Sequence, residues 1–183
     1  MLLLPKRFFL TKGIGIHAQP QRAVAEALRD AGMERCNLVR VSGVLPPGCT
    51  RMSRDEGLAA LTPGMIAFVL QAQSVAQGAG TLATAGIAVA CPNDGSQTGY
   101  FAALDGTGRD AHDVQQEAEE RAAGELLAHW GLETEPNEFV RRGQKQYEYG
   151  EQVFGVDSLI ASAQGHEAHL NTVVLVMAVF LLE

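Results

Sequence analysis

The pattern of hydrophobic and polar residues predicts seven β-strands along this chain. The predicted strands cover residues 7–16, 36–45, 65–75, 81–91, 98–104, 153–164 and 169–182. Glycine lies on either side of Ala79, which is typical of a tight turn. We therefore expect the strands at 65–75 and 81–91 to pair as a β-hairpin.

Two segments carry a helical repeat instead. The first, residues 20–31, begins at Pro20 and is followed by Gly32, a favourable start and stop for a helix. The second, residues 110–130, is the clearest helix, and Gly131 follows it. Its predicted buried stripe is mixed in character and comprises Val114, Ala118, Arg121, Ala122, Glu125, Leu126 and Trp130.

In the remaining segments, hydrophobic residues do not recur at the spacing of a helix or of a strand. Residues 49–63 are polar and irregular and are expected to form a surface loop, whereas residues 139–150 fit a loop or an exposed edge. Neither an internal repeat nor a linker divides the chain. The order of elements predicts one α+β domain over residues 1–183 rather than alternating βαβ units.

The composition argues against several classes of protein. The chain has 183 residues and a formal net charge of −7, which disfavours nucleic acid and anionic membranes as partners. The most apolar stretch, residues 170–182, is shorter than the roughly 20 residues of a membrane-spanning helix. Three widely spaced cysteines argue against a disulfide framework. A cytoplasmic protein is the simplest expectation.

Local motifs add little chemistry. His166 and His169 are too close together for the HExxH zinc motif, and a polar turn before the last strand explains them better. The glycines do not have the spacing of a phosphate-binding loop. Cys36 lies within an apolar strand and is more typical of a buried small residue than of a nucleophile. We therefore expect no metal site.

Polar residues within the predicted strand at 36–45 are more informative. Asn37 lies on one face of that strand, and Arg40 and Ser42 lie on the other. An edge strand with one solvated face would have the same pattern. A site that uses these three side chains is the alternative.

Residues 37–47, NLVRVSGVLPP, resemble the segment around the processing site of the pyruvoyl-dependent arginine decarboxylases. That family has two serines where this chain has Ser42 and Gly43. The strand and glycine-rich loop near the start, the first helix, the central strands through Pro92, the acidic helix and the apolar last strand follow in the family's order. The resemblance therefore spans nearly the whole chain.

The resemblance implies an α+β fold, a four-layer αββα sandwich, and a homotrimer with sites between subunits. In the family, the hydroxyl of the second serine attacks the preceding carbonyl, and β-elimination and hydrolysis leave a pyruvoyl group at the new N-terminus. That group forms a Schiff base with arginine and accepts electrons as CO₂ leaves, which gives agmatine. Asn37 matches a residue that the family uses near the processing site.

Three positions depart from the family pattern. Gly43 has no side-chain oxygen, so cleavage between residues 42 and 43 cannot yield a pyruvoyl group. The family's proton-donating glutamate aligns with Ala103, and Asp105 is nearby in sequence. A substrate-binding aspartate falls on Ala25, beside Glu26.

Three functions remain open. We expect a homologue that does not cleave itself, has no cofactor, and serves as a non-catalytic or regulatory subunit, with a small amino acid or amine as ligand or an active homologue as partner. The alternative is a decarboxylase whose pyruvoyl group derives from Ser42 through a shifted cleavage register. The third is an unrelated enzyme that uses Asn37, Arg40 and Ser42 without a pyruvoyl group.

Overall fold

The computed structural model describes residues 3–93, 95, 97–132, 140–142, 145–167 and 169–182 of a mixed α/β protein with two β-sheets. The strands are β1 Pro5–His17, β2 Asn37–Arg40, β3 Val44–Leu45, β4 Thr50–Arg51, β5 Ile66–Gln77, β6 Leu82–Pro92, β7 Gly99–Asp105, β8 Val140–Arg142, β9 Gln146–Tyr149, β10 Gln152–Gln164 and β11 Asn171–Leu182. The helices are α1 Pro20–Asp30, α2 Arg54–Ala59 and α3 Ala111–His129.

The first sheet has the strand order β2-β5-β11-β1-β4, and the second has the order β3-β7-β6-β10-β9-β8. Most neighbours are antiparallel, while β1 with β4 and β2 with β5 are parallel pairs. The central strand β11 is buried along its length except at Leu182. A strand covered on both faces is expected to be almost continuously apolar, as this one is.

The predicted hairpin of residues 65–75 and 81–91 is wrong. β5 lies in the first sheet against β11, and β6 lies in the second sheet between β7 and β10. Gly78 and Gly80 have φ values of 83° and 87°, so the turn between the strands uses conformations that favour glycine. Alternation identifies a strand but not the strand beside which it lies, and this is why the pairing was mispredicted.

The predicted loop at 49–63 contains the short strand β4 and the helix α2. Ser53 accepts a hydrogen bond from the Glu56 backbone N–H at 3.3 Å, and the Glu56 carboxylate accepts one from the Ser53 N–H at 3.0 Å. This reciprocal pair is a capping box, which satisfies two backbone donors at the start of the helix. The sequence therefore contained a helix signal that its polar composition concealed.

The predicted helix at 20–31 is confirmed by α1, which packs closely on β1. A Cβ placed on Gly13 would lie 2.0 Å from the Ala27 carbonyl oxygen, and one on Gly15 would lie 2.0 Å from the Ala23 oxygen. Any side chain at these glycines would push the helix away. The small residues of both elements thus set the distance between helix and sheet.

Buried apolar residues form three clusters, and β1 contributes to two of them. Phe9 packs with residues of α1 and with Leu175 of β11. Phe8, one position earlier, faces the other way and packs with Ile87 of β6 in the second sheet. The third cluster joins α3 to the second sheet and includes Leu126. Alternation along β1 therefore explains how one strand supports cores on both of its faces.

Helix α3 confirms the predicted helix at 110–130 but buries a different stripe. Asp110 caps its start by accepting from the Asp113 N–H at 2.9 Å. Arg121 and Glu125 were assigned to the buried stripe but are exposed. Glu119 is buried instead, and its carboxylate accepts hydrogen bonds from the buried Tyr147 and the half-buried Ser158. Among the described residues, no helix is long and apolar enough to cross a membrane.

Candidate active-site groove

A groove of about 530 Å³ lies where the chain leaves the first sheet and joins the second. We call it the junction groove, and its lining residues are Ser42, Gly43, Val44, Tyr100, Phe101, Ala102, Ala103, Arg121, Gly124 and Glu125. The structure thus brings Ala103 to the same groove as Ser42 and Gly43, which lie far from it in sequence. All three were singled out from the sequence.

The predicted strand at 36–45 is interrupted in the middle. The N–H of Val41 donates to Val69 of the first sheet at 3.0 Å, whereas the carbonyl of Gly43 accepts from Phe101 of the second sheet at 2.8 Å. Ser42 lies between these two bonds, at the point where the chain changes sheets. The prediction of one continuous strand over residues 36–45 is therefore wrong, because residues 41–43 lie between β2 and β3 and belong to neither. Ser42 and Gly43 both line the junction groove.

The carbonyl of Ser42 precedes the bond that the family cleaves. It accepts a hydrogen bond from the N–H of Val44 at 3.0 Å, which closes a three-residue turn around Gly43. A donor in this position polarises a carbonyl toward attack. The Ser42 carbonyl therefore has one hydrogen-bond donor of the kind that assists attack on a carbonyl.

Gly43 has no room for a side chain. A Cβ built there would lie 2.6 Å from the carbonyl oxygen of Phe101 and 3.1 Å from the Phe101 Cβ. The glycine allows β7 to approach the junction closely. The volume that a serine side chain would enter is filled by the neighbouring strand.

Asn37 is held by hydrogen bonds to the segment before β5. It lies on β2, where its side-chain amide donates to the Gly64 carbonyl at 2.9 Å and its backbone N–H donates to Met65 at 2.8 Å. These bonds attach the start of β2 to the turn before β5. Arg40 is exposed at the end of β2. The structure therefore does not gather Asn37, Arg40 and Ser42 into one constellation.

The carboxylates nearest in sequence to the altered family positions are engaged elsewhere. Asp105 accepts hydrogen bonds from the N–H and hydroxyl of Thr107 at 3.0 and 2.9 Å, which closes the turn after β7. Glu26 accepts from the N–H of Ile16 on β1 at 3.2 Å. Ala103 itself is half-buried beside the core between the sheets. Both carboxylates therefore have structural partners away from the groove.

The helix side of the junction groove carries two charged residues of the predicted buried stripe. Arg121 and Glu125 lie one turn apart on α3 and both line the groove. Glu117 forms an ion pair with Arg121 and a second with Arg109 at 2.6 Å. The hydrogen bond from Arg109, aided by the charges of both arginines, lowers the pKa of the Glu117 carboxyl. The i, i+4 spacing of opposite charges was the signal in the sequence for an exposed face.

The three cysteines do not have the properties of nucleophiles. Burial raises the pKa of the thiols of Cys36 and Cys91, and it raises that of Cys49 to about 11. Because the thiolate is the reactive form, these thiols are poorly activated. Among the described residues, no three His, Cys, Asp or Glu side chains are grouped closely enough to hold a metal ion.

Comparisons with known proteins match nearly the whole chain to one family. The family model of pyruvoyl-dependent arginine decarboxylase matches residues 7–183. A probable pyruvoyl-dependent arginine decarboxylase from Chlorobium luteolum is 36% identical over 174 residues, which cover 95% of this chain and 96% of the relative. A protein of the same name from Chloroherpeton thalassium is 35% identical over 99% of this chain and 100% of its own length.

An archaeal relative gives the same result. The pyruvoyl-dependent arginine decarboxylase from Methanococcoides burtonii is 33% identical over 180 residues, which cover 98% of this chain and all of the relative. The chain is thus a mixed α/β protein with two β-sheets. It belongs to the pyruvoyl-dependent arginine decarboxylase family.

Proposed function

We propose that this chain is a non-catalytic member of its family that remains uncleaved and retains the groove for binding. The family's chemistry begins with a hydroxyl on the residue after the scissile bond. Ester formation uses its oxygen, and β-elimination then breaks the bond between that oxygen and Cβ. Gly43 has neither atom, so this route to a pyruvoyl group is closed.

The packing at Gly43 is the observation that carries the proposal. β7 lies so close that a Cβ would be 2.6 Å from the Phe101 carbonyl oxygen, and the Phe101 N–H is already bonded to the Gly43 carbonyl. The loss of the serine is therefore accompanied by a strand that uses the vacated space. Such an arrangement supports a role in which the junction is a permanent structural connection rather than a cleavage site.

The proton donor is the second missing part. Ala103 lines the same groove as Gly43 and has no group that transfers a proton. Asp105 and Glu26 are bonded to Thr107 and to Ile16, respectively. General acid catalysis typically contributes about 10²–10⁴-fold to a rate. Even a cofactor from another source would therefore leave this groove a poor decarboxylase.

The groove nevertheless suits a small zwitterion. Arg121 and Glu125 supply one positive and one negative group, and Ala102, Ala103 and Val44 supply short apolar walls. We propose a small amino acid or amine as the ligand, held without reaction. The fold that we propose around it is the four-layer αββα sandwich, supported by an apolar cluster between α1 and one sheet, one between the sheets, and one between the other sheet and α3.

Intact-mass measurement under denaturing conditions, combined with an arginine decarboxylation assay, tests the proposal. The expected result is one species of 183 residues that releases no CO₂ from arginine. Two fragments beginning at Met1 and at Ser42, the latter with a blocked N-terminus, would overturn the proposal. That outcome would establish the alternative in which Ser42 supplies the pyruvoyl group, because its hydroxyl would have attacked the carbonyl of Val41.

A further inference from the structure

A second groove, of about 570 Å³, runs along the open edge of β1. We call it the edge groove. It lies beside β4, at the opposite edge of the first sheet from β2. Its lining includes the cations Lys12, Arg51, Arg54 and Lys145 and a single carboxylate, Asp157.

The positive charges of the edge groove are only partly compensated. Asp157 forms ion pairs with Arg51 and with Lys145, the latter at 3.1 Å. Arg54 donates to the Thr11 hydroxyl and to the Asp30 carbonyl oxygen, both at 3.0 Å, and these are uncharged acceptors. Lys12 is exposed, although it lies on the same face of β1 as the buried residues Phe8 and Leu10. In a chain with a net charge of −7, this is a local excess of positive charge.

The backbone of β1 adds donors to the same groove. The N–H of Ile14 donates to the Asp30 carboxylate at 2.9 Å, and that of Ile16 donates to the Glu26 carboxylate at 3.2 Å. Because N–H groups alternate along a strand, those of Leu10 and Lys12 point toward the same edge. Among the described residues, no side chain accepts from either of them.

We propose that the edge groove binds a small oxyanion with two or more negative charges, either a phosphate or a polycarboxylate. The edge already binds the carboxylates of Asp30 and Glu26 through its backbone, and the N–H groups of Leu10 and Lys12 point toward the same edge, beside the cations of the groove. Charge-assisted hydrogen bonds of this kind are the strong ones in proteins.

The size of the open edge favours a small molecule over a peptide strand. β4 and Met52 cover the edge at Phe8, where the Met52 N–H donates to the Phe8 carbonyl at 2.9 Å. Asp30 covers it again at Ile14. The uncovered segment contains only the N–H groups of Leu10 and Lys12, which is too short for an added strand of ordinary length.

Isothermal titration calorimetry on the full chain tests this inference, with inorganic phosphate and citrate as probes at a constant ionic strength of about 0.15 M. We expect saturable binding of one anion per chain. Lys12→Gln should weaken binding by about tenfold, the scale of one hydrogen bond to a charged group. Arg22→Gln, which removes an exposed cation of α1 outside the groove, is the matched control and should leave binding unchanged.

A second variant should strengthen anion binding instead of weakening it. Asp157→Asn frees Arg51 and Lys145 and should tighten binding several-fold. Saturation by phosphate alone would identify a phosphate site, and saturation by citrate alone would identify a polycarboxylate site. Absence of saturable binding with both probes, or equal losses in Lys12→Gln and Arg22→Gln, would overturn the inference.

Discussion

The backbone N–H of Phe101 donates to the carbonyl oxygen of Gly43 at 2.8 Å, and this bond ties the junction between the sheets to β7. Phe101 is itself held in the core. Its ring packs edge-to-face on Phe8 at 5.3 Å and on Phe180 at 5.5 Å between centroids. β7 therefore cannot easily move to make room for a side chain at Gly43.

We expect Gly43→Ala to destabilise the protein by about 1–3 kcal/mol, the usual cost of inserting a methyl group into filled space. Gly124→Ala is the matched control. A Cβ at Gly124 would meet nothing within 4 Å, and alanine favours a helix over glycine by up to about 1 kcal/mol. Chemical unfolding should therefore shift in opposite directions for the two variants. A Gly43→Ala protein as stable as wild type would contradict the close packing.

Elements that are defined by a pattern within their own segment could be predicted from the sequence, whereas contacts between distant segments could not. The period of residues 20–31 and the apolar run of β11 define their elements without reference to other segments. The separation of β5 from β6 depends on pairing with strands distant in sequence, so adjacent strands joined by a glycine turn were mistaken for a hairpin. The break at Ser42 was missed for the same reason, because alternation continues through it.

The candidate site was predictable where the family motif covers it. Gly43 and Ala103 were identified as altered positions, and the structure places both in the junction groove. Arg121 and Glu125 were missed as groove residues because a helix with charges on several faces does not define its buried stripe. Glu119 is the residue that α3 buries, and the sequence alone does not distinguish it from the neighbouring acids.

Glu119 gives a stability prediction. Its buried carboxylate accepts hydrogen bonds from the Tyr147 and Ser158 hydroxyls, each at 2.7 Å. Tyr147→Phe removes one hydrogen bond to this buried group and should cost about 1–3 kcal/mol of unfolding free energy. Tyr100→Phe, at a half-buried tyrosine on β7, should cost less than half as much. Equal effects in urea unfolding would show that the hydrogen bond to Glu119 contributes no stability.

Glu117 gives a pH prediction. Because the pKa of its carboxyl is lowered in the folded chain, its stabilising effect is complete above its ordinary pKa of 4.5 and is lost as pH falls through the folded value. The melting temperature of wild type should therefore exceed that of Glu117→Gln at about pH 6, and the difference should shrink toward about pH 3. Glu120→Gln, whose partner is the uncharged Gln116, controls for the loss of a surface carboxylate. A difference that persists at low pH would refute the ion-pair origin.

We expect a homotrimer in solution, the assembly that the family resemblance implies. Apolar side chains at the β2 edge are available for contact, since Val39 is 41% exposed and Ile66 is 59% exposed. Light scattering should give three times the chain mass. Ile66→Glu should shift the protein toward monomers while circular dichroism remains unchanged. A wild-type monomer at micromolar concentration would exclude this assembly.

Restoring the family's hydroxyl at position 43 and its carboxylate at position 103 tests whether these two residues account for the proposed loss of self-cleavage and activity. Gly43→Ser restores the attacking oxygen beside the polarised Ser42 carbonyl, so slow cleavage between residues 42 and 43 should appear on intact-mass analysis. Gly43→Ala introduces the same steric conflict without the oxygen and should remain uncleaved. Adding Ala103→Glu to Gly43→Ser should raise arginine decarboxylation by about 10²–10⁴-fold, since both positions line one groove. If the double variant is cleaved but is no faster than the single variant, Ala103 does not occupy the proton donor's position.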